Sequence, residues 1–344
     1  MIAFCHEKHK LYQKEFNHYL LTEEQDKKLI RSFKNEAKRI CSYNSDICNL
    51  WIFESDVKPT TANESTKSFV VIPSLFNSPE ILFFDQQDNF IKYLKQFGNV
   101  YLVEWVSSVK SLNLSDYTYA LVEIIDFIKI NTSNNPNLIG HCIGGNIAIF
   151  ASLISKKIHS LTILTTPWDY SHFSAPIFLA ERLRLNQAIS GLETVPKIYI
   201  QMLFFMLFPE NYQIKLNKYF ALNTSKAKEK YLKIEKWLQS GISISTSLYE
   251  EILEMLVMRN SLVNNNFCIN DTKISLEQIN VPSFIVSAKQ DKIAPPSSIE
   301  PLKNGLKNST TLSVKGGHIS YLINNDNNFK SKYAQWLQEV SKLK

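Results

Sequence analysis

Short apolar runs alternate with segments of helical spacing through much of the chain. Runs typical of buried strands lie at 68–75, at 99–105, directly before Cys142, and at 159–169, 281–291 and 310–314. Helical spacing follows these runs at 86–97, 114–130, 144–156, 297–307 and 329–342. Strands that alternate with helices of this length predict an α/β fold with a mostly parallel sheet and right-handed crossovers.

Two segments depart from this alternation. Residues 171–280 are rich in helical periodicity and in long aliphatic and aromatic side chains, and no strand stands out among them. We interpret them as a helical cap inserted into a sheet domain that comprises residues 51–170 and 281–344. Residues 1–50 are charged and helical in pattern, which predicts an N-terminal arm. Ser115 is the predicted N-cap of the helix that follows the second strand run.

The composition narrows the class of protein. The 344 residues are 44% hydrophobic and 20% charged, with a net charge of +6, which is the profile of a soluble globular protein. The chain has no compact block of Lys and Arg, so nucleic acid is not an expected partner. The start lacks an apolar signal region, and the longest apolar run, 198–208, is too short to cross a bilayer. The sequence therefore predicts a cytoplasmic protein without a membrane span.

The cysteines do not predict a disulfide framework, because the five of them are odd in number and widely scattered. Three are expected to be ordinary small apolar residues, namely Cys41, Cys48 and Cys268. Cys5, His6 and His9 lie close together but are too few for a structural zinc site, so no metal is expected.

Glycine is scarce, and its placement points to two positions. Of nine glycines, three lie at 140, 144 and 145 around Cys142, and two more, Gly316 and Gly317, directly precede His318. Glycine is required where the backbone takes a positive φ or approaches other atoms closely. The stretch GHCIGG resembles a nucleophile elbow, G-x-S-x-G, in which cysteine replaces serine.

Cys142, Asp291 and His318 each follow a predicted strand. Their order along the chain, nucleophile then acid then histidine, is that of the α/β-hydrolase fold. The carboxyl ends of parallel strands are also where such sheets carry their chemistry. An isolated Asp or His is weak evidence, but three residues in this order predict a catalytic triad.

The chemistry of a thiol suits this position. An elbow places the side chain of Cys142 at a helix N-terminus and beside a histidine, and both favour the thiolate. The amide of Ile143 is predicted to form half of an oxyanion hole, and the other half should come from the loop after the first core strand, near Leu75 and Phe76.

Several motifs resemble, in the same order, those of the polyhydroxyalkanoate synthases, most closely the short class III type, over roughly residues 65–340. They are the segment from IPSLFN to VEW (72–105), LSDYT (114–118), GHCIGG (140–145), LTTPWDY (164–170), IEKWLQS (234–240), INVPSFIVSAKQDKIAPPSS (279–298) and GGHIS (316–320). The chain departs from the family pattern at Ser74, where a second Pro is usual, at 106–108, where Gly and Pro are usual, and after Trp237, where Asp-Ser-Pro is usual. The triad is intact, so these departures concern pocket shape and partner contacts.

The resemblance implies an (R)-3-hydroxyacyl-CoA substrate and a polyester product. In that reading His318 deprotonates Cys142, and Asp291 orients His318 and helps to activate the attacking hydroxyl. It implies no metal or prosthetic group, a second non-catalytic synthase subunit, and association with the growing polyester chain and the granule surface. It leaves open whether the chain forms a homodimer and which residues bind the phosphates of CoA.

Two other functions stay open from the sequence. One is a thioesterase or esterase that uses the same triad, and the other is a non-catalytic granule-associated homologue. The run 198–208 is either a buried cap helix or a surface for substrate entry, granule or partner contact. His141 is expected to be a spacer in the elbow, and Trp168 and Trp237 are expected to serve packing rather than acyl recognition.

Overall fold

The computed structural model describes residues 2–21, 36–43, 45–57, 66–85, 87–107, 110–173, 187, 189, 191–207 and 210–342. Within these ranges, the side chains of 2–6, 18–21, 203–207 and 210–213 are not described. Phe204 and Phe205 of the apolar run, and the side chains of Cys5 and His6, therefore lie outside the described part.

A sheet of eight strands forms the centre of the fold. The strands of the chain are β1 (Lys38–Arg39), β2 (Cys48–Phe53), β3 (Lys67–Ile72), β4 (Gly98–Trp105), β5 (Asn137–His141), β6 (Ser160–Leu164), β7 (Thr194–Val195), β8 (Ile244–Ser245), β9 (Cys268–Ile269), β10 (Thr272–Lys273), β11 (Ser283–Ala288) and β12 (Ser309–Val314). The sheet has the order β1-β2-β4-β3-β5-β6-β11-β12. β2 pairs antiparallel with both of its neighbours, and the strands from β4 to β12 in this order are parallel. The predicted mostly parallel sheet is confirmed.

The helices lie between these strands and in the cap. They are α1 (Ile2–Leu21), α2 (Phe90–Lys95), α3 (Leu114–Thr132), α4 (Ile143–Ser155), α5 (Lys197–Leu207), α6 (Glu210–Phe220), α7 (Ser225–Leu238), α8 (Thr246–Glu251), α9 (Pro296–Gly305), α10 (Ser320–Ile323) and α11 (Asn327–Val340). A π-helical segment, Ile252–Met258, continues α8, and short 3₁₀ turns cover Pro79–Phe83, Ser171–Phe173 and Leu276–Gln278.

Three details differ from the sequence-based predictions. The N-cap of α3 is Asn113, not Ser115, because the Asn113 side chain accepts from the N–H of Asp116 while the Asp116 carboxylate accepts from the N–H of Asn113. The predicted helical arm over 1–50 contains α1, but it is wrong at 38–39 and 48–50, where β1 and the start of β2 belong to the sheet. The cap segment 171–280 also contains two-residue strands, which pair as β7 with β8 and β9 with β10.

The core lies on both faces of the sheet. Successive side chains of β3 point to opposite faces, so Val70 and Ile72 enter one apolar cluster and Phe69 and Val71 enter the other. The first cluster joins the sheet to α3, α4 and much of the cap, and the second joins it to α2, α10 and α11. A small third cluster packs Phe16 of α1 against Tyr219 and Leu232 of the cap. α1 therefore packs against the cap.

Candidate active site

The nucleophile elbow lies between β5 and α4. Cys142 occupies the turn with φ 56° and ψ −133°, and its N–H donates to the carbonyl oxygen of Leu164 at 3.0 Å. A non-glycine residue in such a conformation stores about 1–3 kcal/mol of strain, which the surrounding structure has to hold. This backbone conformation places the thiol beyond the end of β5, at the N-terminus of α4.

The three glycines of the elbow are required by close packing. A Cβ on Gly140 would lie 2.4 Å from the Cα of Gly145, and one on Gly144 would lie 2.4 Å from the carbonyl oxygen of Pro73. A Cβ on Gly145 would lie 1.9 Å from Oγ1 of Thr166. Close approach, rather than positive φ, therefore explains glycine at these positions, while Gly316 ahead of the histidine has φ 86°.

The structure brings Cys142, His318 and Asp291 together. Nδ1 of His318 lies 2.8 Å from Oδ2 of Asp291, and the ring also hydrogen-bonds with the side chain of Cys142. The other carboxylate oxygen, Oδ1 of Asp291, accepts the N–H groups of Ile293 and Ala294 at 2.8 and 2.9 Å. Because Asp291 is a buried acceptor on both oxygens, His318 donates through Nδ1 and turns its other nitrogen to the thiol.

The charges of this group favour an ion pair. Burial lowers the pKa of His318, but the negative charges of Asp291 and Cys142 outweigh burial and raise that pKa from 6.5 to about 10. The side chain of Asp291 is fully buried and that of His318 is 14% exposed, so solvent screens these charges weakly. The arrangement therefore favours the imidazolium form of His318 at neutral pH.

His141 lies beneath the triad, and the sequence did not assign it a role beyond a spacer. It is buried, its ring centre lies 5.1 Å from that of His318, and its Nε2 has no hydrogen-bond partner. Burial first, and the neighbouring His318 second, hold the pKa of His141 well below 6.5. His141 is therefore a neutral imidazole beside a charged one.

A cavity of about 660 Å³ opens above Cys142 and His318. Its lower wall comes from the sheet domain, including Ser74, Phe76 and Asn77. Its upper walls come from the cap and from α1, and they are formed by His9, Tyr12, Gln13, Phe16, Ile198, Ile200, Gln201, Met202, Lys215, Leu216, Glu235, Trp237, Leu238 and Gln239. The volume and the largely apolar lining are typical of a small-molecule site.

Of the three predicted oxyanion residues, Phe76 is the one whose position at the cavity wall is shown. Ile143 begins α4 directly after Cys142, and Phe76 lines the cavity, whereas Leu75 is buried in the core. The N–H of Phe76 donates to Oγ of Ser74 at 3.2 Å. Their role in binding an oxyanion stays a prediction.

The contribution of α1 and of Trp237 to the cavity was not predicted. Trp168 packs in the core against Phe150 and Trp237 belongs to the second apolar cluster, as expected, but Trp237 also lies at the cavity wall and donates to the carbonyl oxygen of Ser78 at 2.8 Å. The motif IEKWLQS was the only sequence signal that singled out Trp237. Nothing in the local pattern of α1 indicates where it packs.

The described ranges offer neither a metal site nor a membrane span. No group of three or more His, Cys, Asp or Glu side chains there could hold a metal ion. In the same part of the chain no helix is both long and apolar enough to cross a bilayer. Cys48 is buried, whereas Cys41 and Cys268 are exposed, so only Cys48 lies in the core as an apolar residue would.

The curated proteins that are similar to this chain share one named activity. No family model matches the chain. The chain is 22% identical over 268 residues to the poly(3-hydroxyalkanoate) polymerase subunit PhaC of Haloferax mediterranei, with 74% of this chain and 54% of that protein covered. The subunits of the same name from Haloarcula marismortui and Synechocystis sp. are also 22% identical, over 79% and 86% of this chain and 61% and 83% of those proteins.

The resemblance to polyhydroxyalkanoate polymerases is confirmed. All eight of the similar curated proteins carry the name poly(3-hydroxyalkanoate) polymerase or a subunit of it. The chain spans only 54% and 61% of the first two of these polymerases, which are longer proteins.

Solved structures identify the fold. A membrane phospholipase A has a TM-score of 0.56 at 14% identity, over 99% of this chain and 100% of that one. The monoacylglycerol lipase of Paleococcus ferrophilus has a TM-score of 0.51 at 17% identity, over 85% of this chain and 98% of that one. The fold is therefore that of the α/β-hydrolases, as the order of the triad residues predicted.

Proposed function

We propose that the chain is a polyhydroxyalkanoate polymerase that transfers (R)-3-hydroxyacyl groups from CoA to a polyester through Cys142. The observation that carries the proposal is a cysteine in a strained elbow, paired with a buried His–Asp couple, at the floor of a largely apolar cavity. The similarity to polymerase subunits supports the substrate class.

Acylation is the first step. The Cys142 thiolate attacks the thioester carbonyl, and the oxyanion is held by the amide of Ile143 and by the loop that contains Leu75 and Phe76. The carbon–sulfur bond to CoA breaks, and the proton held on His318 goes to the leaving CoA thiolate. Exchange of one thioester for another is nearly isoenergetic, so the acyl group on Cys142 stays activated.

Elongation is the second step. The neutral His318 accepts the proton of the attacking hydroxyl, an ester bond forms, and the Cys142 thiolate leaves. Asp291 stabilises the imidazolium that results. Cysteine suits this step better than serine would, because a serine ester would already have lost the driving force of the thioester.

Exposed apolar side chains at the rim of the cavity support a location of the protein at the polymer surface. Ile198 and Met202 of α5 line the cavity and are 60% and 53% exposed, whereas Ile200 between them is buried. We propose that this rim faces the growing chain at the granule surface in the cytoplasm, with a second, non-catalytic subunit as a partner. The reaction needs no metal or prosthetic group.

One assay separates the candidate functions. Purified protein is incubated with (R)-3-hydroxybutyryl-CoA, and CoA release and polymer are followed together. CoA released with polymer supports the polymerase, and CoA released with free 3-hydroxybutyrate would instead make the chain a thioesterase. Absence of both products, with Cys142 inert to iodoacetamide, would indicate a non-catalytic homologue.

A further inference from the structure

The end of cap helix α7 holds the loop that lies beside Cys142. We define the oxyanion loop as residues 73–78, and the clasp as Trp237, Ser240 and Gly241. We propose that the clasp positions the oxyanion loop, so that the cap controls acylation of Cys142. This rests on the proposed function in one respect, since it assumes that a carbonyl oxygen binds beside Cys142.

The clasp binds both backbone groups of Ser78. Nε1 of Trp237 donates to the carbonyl oxygen of Ser78 at 2.8 Å, and the N–H of Ser78 donates to Oγ of Ser240 at 3.2 Å. Trp237 is only 6% exposed, so water competes weakly for this bond. Hydrogen bonds to both the N–H and the carbonyl oxygen of Ser78 fix the position and the orientation of this residue.

Gly241 sets the distance between the cap and the loop. Its φ is 124°, and a Cβ at this position would lie 2.2 Å from the carbonyl oxygen of Phe76. Phe76 itself lines the cavity, and its N–H is held by Oγ of Ser74. The cap backbone therefore touches the loop at the residue that was predicted to supply an oxyanion donor.

The other end of the loop is held by the sheet domain. The carbonyl oxygen of Pro73 accepts from Nε1 of Trp105 at 3.1 Å, and Gly144 of the elbow packs directly against it. The loop is thus fixed at Pro73 by the elbow and at Ser78 by the cap. A shift of α7 would move the second anchor and leave the first in place, which changes the conformation of the residues between them.

The triad is anchored independently of α7. Asp291 is held by Ile293 and Ala294, and the elbow by contacts with Pro73, Leu164 and Thr166, all in the sheet domain. Loss of the clasp should therefore impair the stabilisation of an oxyanion but leave the thiolate intact. Two reactions of Cys142 separate these effects, because alkylation by iodoacetamide forms no oxyanion and acylation by an ester or thioester does.

The test compares these two reactions in Ser240→Ala and Trp237→Phe. Removal of one oxyanion donor costs about 10²–10³-fold in rate, so a displaced loop should cost roughly 10–10²-fold in acylation. We measure single-turnover acylation with (R)-3-hydroxybutyryl-CoA and with p-nitrophenyl butyrate, which needs no CoA site. Because alkylation by iodoacetamide forms no oxyanion, its rate in both variants should stay within about 2-fold of the rate in the unchanged protein.

Two controls identify the cause of any loss. Trp336→Phe changes a tryptophan of similar burial, 4% exposed, on α11, and should leave both reactions unchanged. Ser240 is not among the described residues that line the cavity, so a loss in Ser240→Ala cannot come from a changed wall. Because the loop acts on the transition state, the loss should lie in the maximal acylation rate and leave substrate affinity nearly unchanged.

Each outcome decides the matter. Acylation at the unchanged rate in both variants would overturn the inference, and so would an equal loss of acylation and alkylation, which a general structural defect would produce. If the unchanged protein reacts with p-nitrophenyl butyrate but not with the CoA thioester, the proposed substrate is wrong and the clasp is tested with the ester alone. If it reacts with neither, both the function and the inference fail.

Discussion

Replacement of Asp291 by Asn should separate the two steps of the reaction. One oxygen of Asp291 accepts two backbone N–H groups and the other accepts Nδ1 of His318. In Asp291→Asn the amide oxygen should take the two N–H groups, because the reverse orientation opposes donors to donors. The amide NH₂ then faces Nδ1, and His318 must hold its proton on the nitrogen that faces Cys142.

The structure sets the size of the effect. Burial lowers the pKa of His318, and the charge of Asp291, followed by that of Cys142, raises it from 6.5 to about 10, so loss of the Asp291 charge removes the main support of the imidazolium. The same substitution in the serine-protease example costs about 10⁴-fold. Elongation needs His318 as a base, so it should lose about 10³–10⁴-fold.

In Asp291→Asn the rate of alkylation of Cys142 should fall much less than the rate of elongation. A cysteine without assistance is still a few per cent thiolate at pH 7, so iodoacetamide should react with Cys142 no more than about 30-fold more slowly. The difference should close as the pH rises, because the thiolate then forms without His318. With (R)-3-hydroxybutyryl-CoA, about one CoA per site should be released, followed by a stall.

The assay is rapid-quench CoA release at enzyme concentrations comparable to substrate, beside the pH profile of alkylation. His318→Ala is the matched comparison, since it removes the base from both steps and should leave no burst. Equal losses of burst and steady state in Asp291→Asn would refute the reasoning and leave Asp291 as an orienting residue only.

Three further predictions concern the elbow. Cys142→Ser should fold normally but lose nearly all polymer formation, and near-normal polymer yield would disprove the nucleophile. Gly145→Ala should lower the free energy of unfolding by about 1–3 kcal/mol in urea titrations, because its Cβ would meet Thr166. Gly317→Ala is the control and should be tolerated, because a Cβ there would lie 3.6 Å from its nearest neighbour. Equal effects of the two substitutions would contradict the packing argument. The pKa of His141 in the folded chain lies well below 6.5, so below pH 6.5 the unfolded chain binds a proton that the folded chain does not. As the pH falls through this range, the free energy of unfolding should decrease by up to about 1.4 kcal/mol per pH unit. In His141→Leu the free energy of unfolding should therefore change less between pH 6.5 and pH 5 than it does in the unchanged protein, with pH 8 as the reference. An unchanged slope would rule out this contribution of His141.

Local pattern was sufficient for most of the sheet and for the expectation that Cys142, Asp291 and His318 lie together. Continuous apolar runs mark the buried strands and a spacing of 3.6 residues marks the helices, so β3 to β6, β11, β12 and the helices between them follow from the sequence. Cys142, Asp291 and His318 meet because each lies shortly after the end of a strand, and parallel strands bring their carboxyl ends to one edge. The glycines marked the elbow because a tight strand-to-helix turn excludes most side chains.

Only the tertiary structure decided what each of these positions contacts. The sequence could not show that Gly145 packs on Thr166, that α1 closes the cavity above Cys142, or that Trp237 binds Ser78, since these contacts join residues far apart along the chain. The short strand β1 was missed because two residues carry no periodicity. A local pattern records which face of an element is apolar, and the partner of that face is chosen by the packing of the whole chain.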